Sequence, residues 1–160
     1  MKWIGCAIIF FSIMQIGLKK VEKLRYGIAL LSDVWYAVTE IGRQIGVAQT
    51  PLPLIYRDLA KNAQGKSQFF QKLYAAGDFC SAYESIKASI VAPKALEQTM
   101  ERFLRLLGKT DVTTQCANCR EAAEQLSQVL TSEQASFQQK RKMYLSVAAC
   151  VGGMLVLFML

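Results

Sequence analysis

The sequence predicts an all-α fold: a membrane-anchored helical bundle with one N-terminal and one C-terminal transmembrane helix and an antiparallel pair of long heptad helices. Three observations predict it. Hydrophobic residues make up 52% of the 160, and the excess over a soluble domain is concentrated at the two ends of the chain. Basic residues cluster on the inner side of each apolar end. Between them, apolar residues recur at alternating threes and fours, and no stretch sustains the period-two alternation of a half-buried strand. A chain of this length carries one sizeable core. The expected division is therefore 1–18 as a first span, 19–142 as a helical bundle domain and 143–160 as a second span.

The first element is the run from Trp3 to Leu18, whose only strongly polar side chains are Ser12 and Gln15. As a helix it covers roughly 24 Å, short of a hydrocarbon core of about 30 Å. Lys19 and Lys20 can make up the difference by extending their ammonium groups to the headgroups. A secretory leader would need a longer basic start than Met1-Lys2 and a small-x-small cleavage site before Lys19; the sequence has neither, so the segment is expected to persist as an uncleaved helix.

Charge sets the orientation. The formal net charge is +7, and Lys19, Lys20, Lys23, Arg25, Lys140, Arg141 and Lys142 account for it, leaving the rest of the chain near balance. Basic residues concentrate on the cytoplasmic side of spans, which puts 19–142 in the cytoplasm of a cell-membrane protein that crosses twice. The two clusters read as topology determinants and as contacts to lipid headgroups. A nucleic-acid binder would carry a basic stripe with aromatic or polar readers away from the membrane, and no such stripe is present.

Leaving the first span, Val21, Leu24, Ile28, Leu31, Trp35, Val38, Gly42 and Ile45 form a heptad seam. The returning segment shows the same spacing in Cys116, Cys119, Ala123, Leu126, Leu130, Glu133, Phe137, Lys140 and Tyr144. Two heptad helices that begin and end at one membrane run antiparallel. Equal height above the bilayer pairs Leu24 with Phe137, Leu31 with Leu130, Trp35 with Leu126 and Val38 with Ala123.

Shorter helices fill the interval. Thr50-Pro51-Leu52-Pro53 reads as a helix start, with Thr50 as cap and Pro51 in the first position; Leu52, Ile55 and Leu59 form its inner face. Asn62 to Ser67, with Gly65, is a break. Phe69, Phe70 and Leu73 mark a helix closed by Gly77. Asp78 caps the next, with Phe79, Ala82, Ile86 and Ile90 inward. Pro93 opens another through Leu96, Met100, Phe103 and Leu107, ended by Gly108, after which Thr110 or Asp111 caps the return helix. The second span, Met143 to Leu160, has no charge; within it Ala148 and Ala149 stand four residues before Gly152 and Gly153. That small-xxx-small arrangement permits close helix contact, between the two spans or between copies of the chain.

The sequence argues against chemistry. It has no histidine, hence neither the commonest general base nor the commonest metal ligand. Its five cysteines are odd in number and irregularly spaced, which suits reduced thiols rather than a disulfide framework. Cys116-x-x-Cys119 is the one motif with a chemical look, and membrane redox or metal binding there is the alternative reading. Zinc would need two further ligands, and both cysteines lie on the heptad seam, where small apolar groups belong. Glu97 and Glu101 beside Arg102 and Arg105 are ordinary helix-surface pairs. No catalytic residue, metal or cofactor is expected. The candidate contact residues gather instead at the end of the bundle expected to lie farthest from the membrane: Gly46, Gln49, Thr50, Pro51 and Pro53 with Gly108, Thr110, Asp111 and Gln115.

Taken in order, several features resemble the stage III sporulation protein AB family of endospore-forming bacteria. They are the short first span with its basic exit, Thr50-Pro51-Leu52-Pro53 after a long amphipathic helix, Leu107-Gly108-Lys109-Thr110-Asp111 with Gln115 four positions on, and a Lys142-Met143-Tyr144-Leu145 entry into a glycine-containing final span. The resemblance covers essentially the whole length; the cysteines at 116 and 119 and the stretch around 64–94 depart from it. It implies a part of the channel complex in the mother-cell membrane around the forespore, with a cytoplasmic domain similar to the platform proteins of type II secretion and type IV pilus machines. The implied partners are a secretion ATPase of the stage III sporulation protein AA type and other channel components. Thr50, Pro51, Pro53, Gly108, Thr110, Asp111 and Gln115 would then be structural or contact residues, none of them catalytic.

Overall fold

The computed structural model describes the backbone of residues 2–62, 68–90 and 93–159, and the side chains there except at 2–11, 13, 14, 16, 17, 62, 95, 145, 148, 149, 151, 152 and 155–159. Six helices follow in order: α1 (Lys2–Ala48), α2 (Leu52–Asn62), α3 (Gln68–Ala76), α4 (Phe79–Lys87), α5 (Lys94–Leu106) and α6 (Val112–Met159). No strand occurs among the described residues. Both long helices run unbroken from the apolar ends into the amphipathic stretches.

The chain divides into two compact units, one of residues 1–26 with 133–160 and one of Gly27–Ser132. In the second unit the pairing of α1 with α6 is antiparallel and very close. A Cβ placed on Gly42 would meet the Cβ of Cys119 at 2.9 Å, and one on Gly46 would lie 3.3 Å from the Cys116 sulfur. Gly42 and Cys119 fall four positions beyond Val38 and Ala123 on the expected register. Trp35 and Leu126 belong to the same core.

The buried stripe of α1 is broader than a coiled-coil seam. Leu31, Val38 and Ile45 are buried as the heptad predicts, but so are Leu30, Val34, Ala37 and Ile41, whereas the seam positions Ile28, Trp35 and Gly42 are only half-buried. The reason is a second neighbour. One flank of α1 meets α6, and the other is covered by the short helices, where a Cβ at Gly27 would come within 3.2 Å of the Ser89 carbonyl oxygen. On α6 every seam position from Cys116 to Tyr144 is buried or half-buried.

Aromatic rings fill the space under the short helices. Phe79, fully buried at the first position of α4, has Phe69 of α3 at 5.6 Å, Phe103 of α5 at 6.0 Å and Tyr56 of α2 at 6.4 Å between centroids. Phe70 continues the cluster to Tyr36 on α1 at 6.4 Å, edge to face. Such pairs add directional energy to the area they bury. Polar ties are peripheral: Lys87 of α4 reaches Glu101 of α5 at 3.2 Å, and the Thr99 hydroxyl donates to the Gln125 side-chain oxygen of α6 at 2.7 Å. Exposed ion pairs of this kind contribute little.

The punctuation holds with one correction. Gly77 and Gly108 take the left-handed conformation with φ of 67° and 78°, closing α3 and α5. Asp78 accepts a hydrogen bond from the Ser81 N–H, and Asp111 from the Thr114 N–H, so Asp111 rather than Thr110 caps α6. At α2 the carbonyl of Pro51 accepts from the Leu54 and Ile55 amides, which moves the cap one residue on from Thr50. Leu52 and Pro53 become the first two helical residues, and the amide that Pro53 lacks is one a helix start leaves unpaired anyway. The expected break at 62–67 lies almost wholly outside the described residues.

Among the described residues, no helix is long and apolar enough to cross a membrane. The two spans expected at 1–18 and 143–160, and Ala148, Ala149 and Gly152 within the second, fall largely on residues whose side chains are outside the described set. A Cβ on Gly153 would meet nothing within 4 Å.

The Gly42 contact yields a test of the packing. Gly42→Leu should cost about 1–3 kcal/mol by chemical denaturation although leucine is the better helix former, because Cys119 and the backbone behind it must move. Adding Cys119→Gly should recover part of the loss. A leucine tolerated at no cost would contradict the close approach.

Candidate functional site

The sequence offers two places to look for function, the cysteine pair and the helix-end tip. At the first, Cys116 and Cys119 face α1 one turn apart. The Cys116 sulfur lies 3.8 Å from the Gly42 carbonyl oxygen, a weak S–H···O contact. Cys119 is buried, and burial, with Cys116 beside it as a smaller influence, pushes its thiol up to about 12. A reactive or metal-binding cysteine needs the opposite, a stabilised thiolate. Among the described residues, no three histidine, cysteine, aspartate or glutamate side chains gather as metal ligands. Cys80, exposed on α4, is also raised, by burial first and then by Asp78 and Glu84.

At the tip, the C-terminus of α1, the α1–α2 turn, and the α5–α6 turn converge. Gln49 carries the reversal out of α1 with a φ of 48°, unusual for a residue with a side chain. Leu52 then reaches across: a Cβ on Gly108 would lie 3.0 Å from its Cδ1. Gly46 borders Cys116 near the start of α6. Gly46, Gln49, Pro51, Pro53, Gly108 and Asp111 are exposed, and Thr50, Thr110 and Gln115 half-buried. The expected contact residues thus share one end of the Gly27–Ser132 unit.

Electrostatics at this end are local. The Asp111 carboxyl is held below its ordinary value, first by the side-chain hydrogen bond from Thr114 and then by Thr114's backbone N–H. Glu40 is likewise lowered, chiefly by the hydrogen bond from the Arg43 guanidinium, with Gln44 adding a second donor against the opposing effect of burial. The Thr110 hydroxyl and the Asn118 amide nitrogen are buried without a hydrogen-bond partner. Nothing here resembles an acid–base pair or a phosphate cradle.

Sequence reasoning missed the apolar part of the tip. Val47 is 78% exposed, Leu54 41% and Val112 42%. Leu54 carried a usable signal: in Leu52-Pro53-Leu54-Ile55 the apolar side chains cannot all face inward, and Ile55 takes the core. Val47 and Val112 carried none, since each follows or precedes an ordinary helical pattern.

A family model described as Stage III sporulation protein AB matches residues 2–160. Comparison with curated proteins and with solved structures gave no match.

The buried groups dictate behaviour in alkali. Cys119, raised to about 12 from 9.0, and Tyr83, raised by burial to about 12 from 10.0, stay protonated in the fold after their unfolded counterparts ionise. Raised pKa values of this kind contribute stability that is complete below pH 9 and is lost as pH climbs from there toward 12. Denaturation midpoints should therefore fall across that window, and Cys119 should resist alkylation at pH 8 until the protein unfolds. Rapid labelling of Cys119 in the native state would show that α1 does not cover it.

Proposed function

Since the chain belongs to the stage III sporulation protein AB family, we propose that it is a non-enzymatic membrane platform of a sporulation secretion-like channel, docking a cytoplasmic secretion-type ATPase to the membrane complex. The observation that carries this reading is the tip. It gathers exposed apolar side chains, Val47, Leu54 and Val112, on a frame stiffened by two prolines and two capped helix ends. A protein docking site needs such an apolar centre with a polar rim, here Gln49, Lys109 and Asp111.

The membrane part of the proposal rests on the sequence. The uncharged or nearly uncharged runs at 3–18 and 143–160 serve as the two spans, and the flanking lysines and arginines hold 19–142 in the cytoplasm. The membrane implied by the family resemblance is the mother-cell membrane around the forespore, where other channel components would contact the spans. Redox or metal chemistry at Cys116 and Cys119 finds no support in a raised, buried thiol packed against glycine.

Co-purification of the full-length chain, in detergent, with an ATPase of the stage III sporulation protein AA type tests the proposal. Association is expected at low and moderate ionic strength, and Val47→Glu with Leu54→Glu should weaken it at least tenfold while helicity is unchanged, as expected for the centre of an interface. Undiminished binding by that variant would move the contact off the tip. No association at any salt concentration would sink the ATPase partner.

A further inference from the structure

The seven basic residues beside the apolar runs come from opposite ends of the sequence, yet the segments that carry them lie side by side. Within the unit of 1–26 and 133–160, the Lys20 ammonium lies 5.9 Å from the centroid of the Tyr144 ring, a cation–π contact that sets these segments of α1 and α6 side by side. Because the helices run in opposite directions, each step toward Lys23 on α1 is matched by a step back toward Lys140 on α6. The two clusters therefore merge into one belt. Lys19, Lys20, Lys23, Arg25, Arg141 and Lys142 are exposed, and half-buried Lys140 is held by Glu133 at 3.8 Å. The acidic residues of these stretches are Glu22 and Glu133, far too few to neutralise seven cations.

The belt has a sharp apolar border. Leu18 is 49% exposed, Met143 53% and Val147 55%, directly beside the cationic residues. Water is a poor solvent for that border, and a folded neighbour would have to match both halves at once. A bilayer edge supplies both. From residue 19 to 25 a helix rises about 9 Å, comparable to the thickness of one headgroup layer, about 5–8 Å. Half-buried Tyr144 sits at the junction, the position interfacial tyrosines favour.

We propose that Lys19, Lys20, Lys23 and Lys142, within about one helical turn of the Lys20–Tyr144 contact along α1 and α6, bind the phosphate groups of anionic phospholipids in a bilayer, with Leu18, Met143 and Val147 against the acyl chains. The inference rests on the two-span reading and adds lipid selectivity to it. Neutral lipid satisfies the apolar border alone; anionic lipid satisfies the belt as well.

Full-length protein in a neutral detergent can be titrated with phosphatidylglycerol, phosphatidylcholine or inorganic phosphate while its thermal midpoint is followed. Phosphatidylglycerol should raise the midpoint at a concentration roughly tenfold or more below that needed for phosphatidylcholine, and the advantage should shrink with salt. K20Q/K23Q/K142Q should lose most of the advantage and K20R/K23R/K142R should keep it. Equal response to the two lipids, or an undiminished preference in the glutamine variant, overturns the proposal. Inorganic phosphate reproducing the effect overturns the bilayer as source. Carbonate washing of vesicles separates the two levels: protein that stays in the bilayer without preferring anionic lipid removes the belt alone, whereas protein that washes off defeats the two-span reading and the belt together.

Discussion

The approach of α6 to α1 at Gly42 and Gly46 is the constraint on which the Gly27–Ser132 unit depends. With no side chain at either glycine, Cys119 and Cys116 occupy the space, and a Cβ at Gly42 would stand only 2.9 Å from that of Cys119. Two helices so close cannot enclose a core between them. They form a wall instead, and the remaining apolar flank of α1, from Leu30 to Ile45, must be covered from the side. The four short helices supply the cover, and their lengths and turns follow from the need to return to that wall.

This explains why the aromatic residues lie where they do. Phe69, Phe79, Phe103 and Tyr56 come from four different short helices, none of which buries enough area to be stable alone. Rings are the largest apolar groups available and can be shared by several elements at once. Phe79 is common to three of the ring pairs, so the cover helices act through one another as well as through α1.

Much of this was legible in the sequence because local chemistry wrote it. Gly77, Asp78, Gly108 and Asp111 each have a conformation or a hydrogen bond that few other residues provide, and each punctuates a helix as its type suggests. On α6 the seam positions of the heptad rule are all buried or half-buried, and off-seam Ala122 is fully buried as well. On α1 the same rule read only Leu31, Val38 and Ile45 correctly as fully buried; it placed Ile28, Trp35 and Gly42 where Val34 and Ile41 belong, since a heptad anticipates one partner and α1 has two. Thr50 yielded the cap to Pro51 because a carbonyl one residue later already faced the open amides. The candidate residues of the tip were legible as turn residues, by their glycines and prolines. Its exposed valines and leucine were not, because exposure depends on which neighbours are present.

At one end of the Gly27–Ser132 unit, the Pro51 carbonyl and the Asp111 carboxylate fix the α1–α2 and α5–α6 turns, and the proposed docking role rests on the exposed residues those turns hold. The most direct measurement of the pairing is disulfide trapping in the full-length chain with its native cysteines replaced by alanine. Val38→Cys with Ala123→Cys should oxidise rapidly to an intramolecular bond, and Val38→Cys with Ser127→Cys, about one turn (5.4 Å) out of step, should not. Preferential trapping of the second pair, or bonds only between separate molecules, would contradict the account.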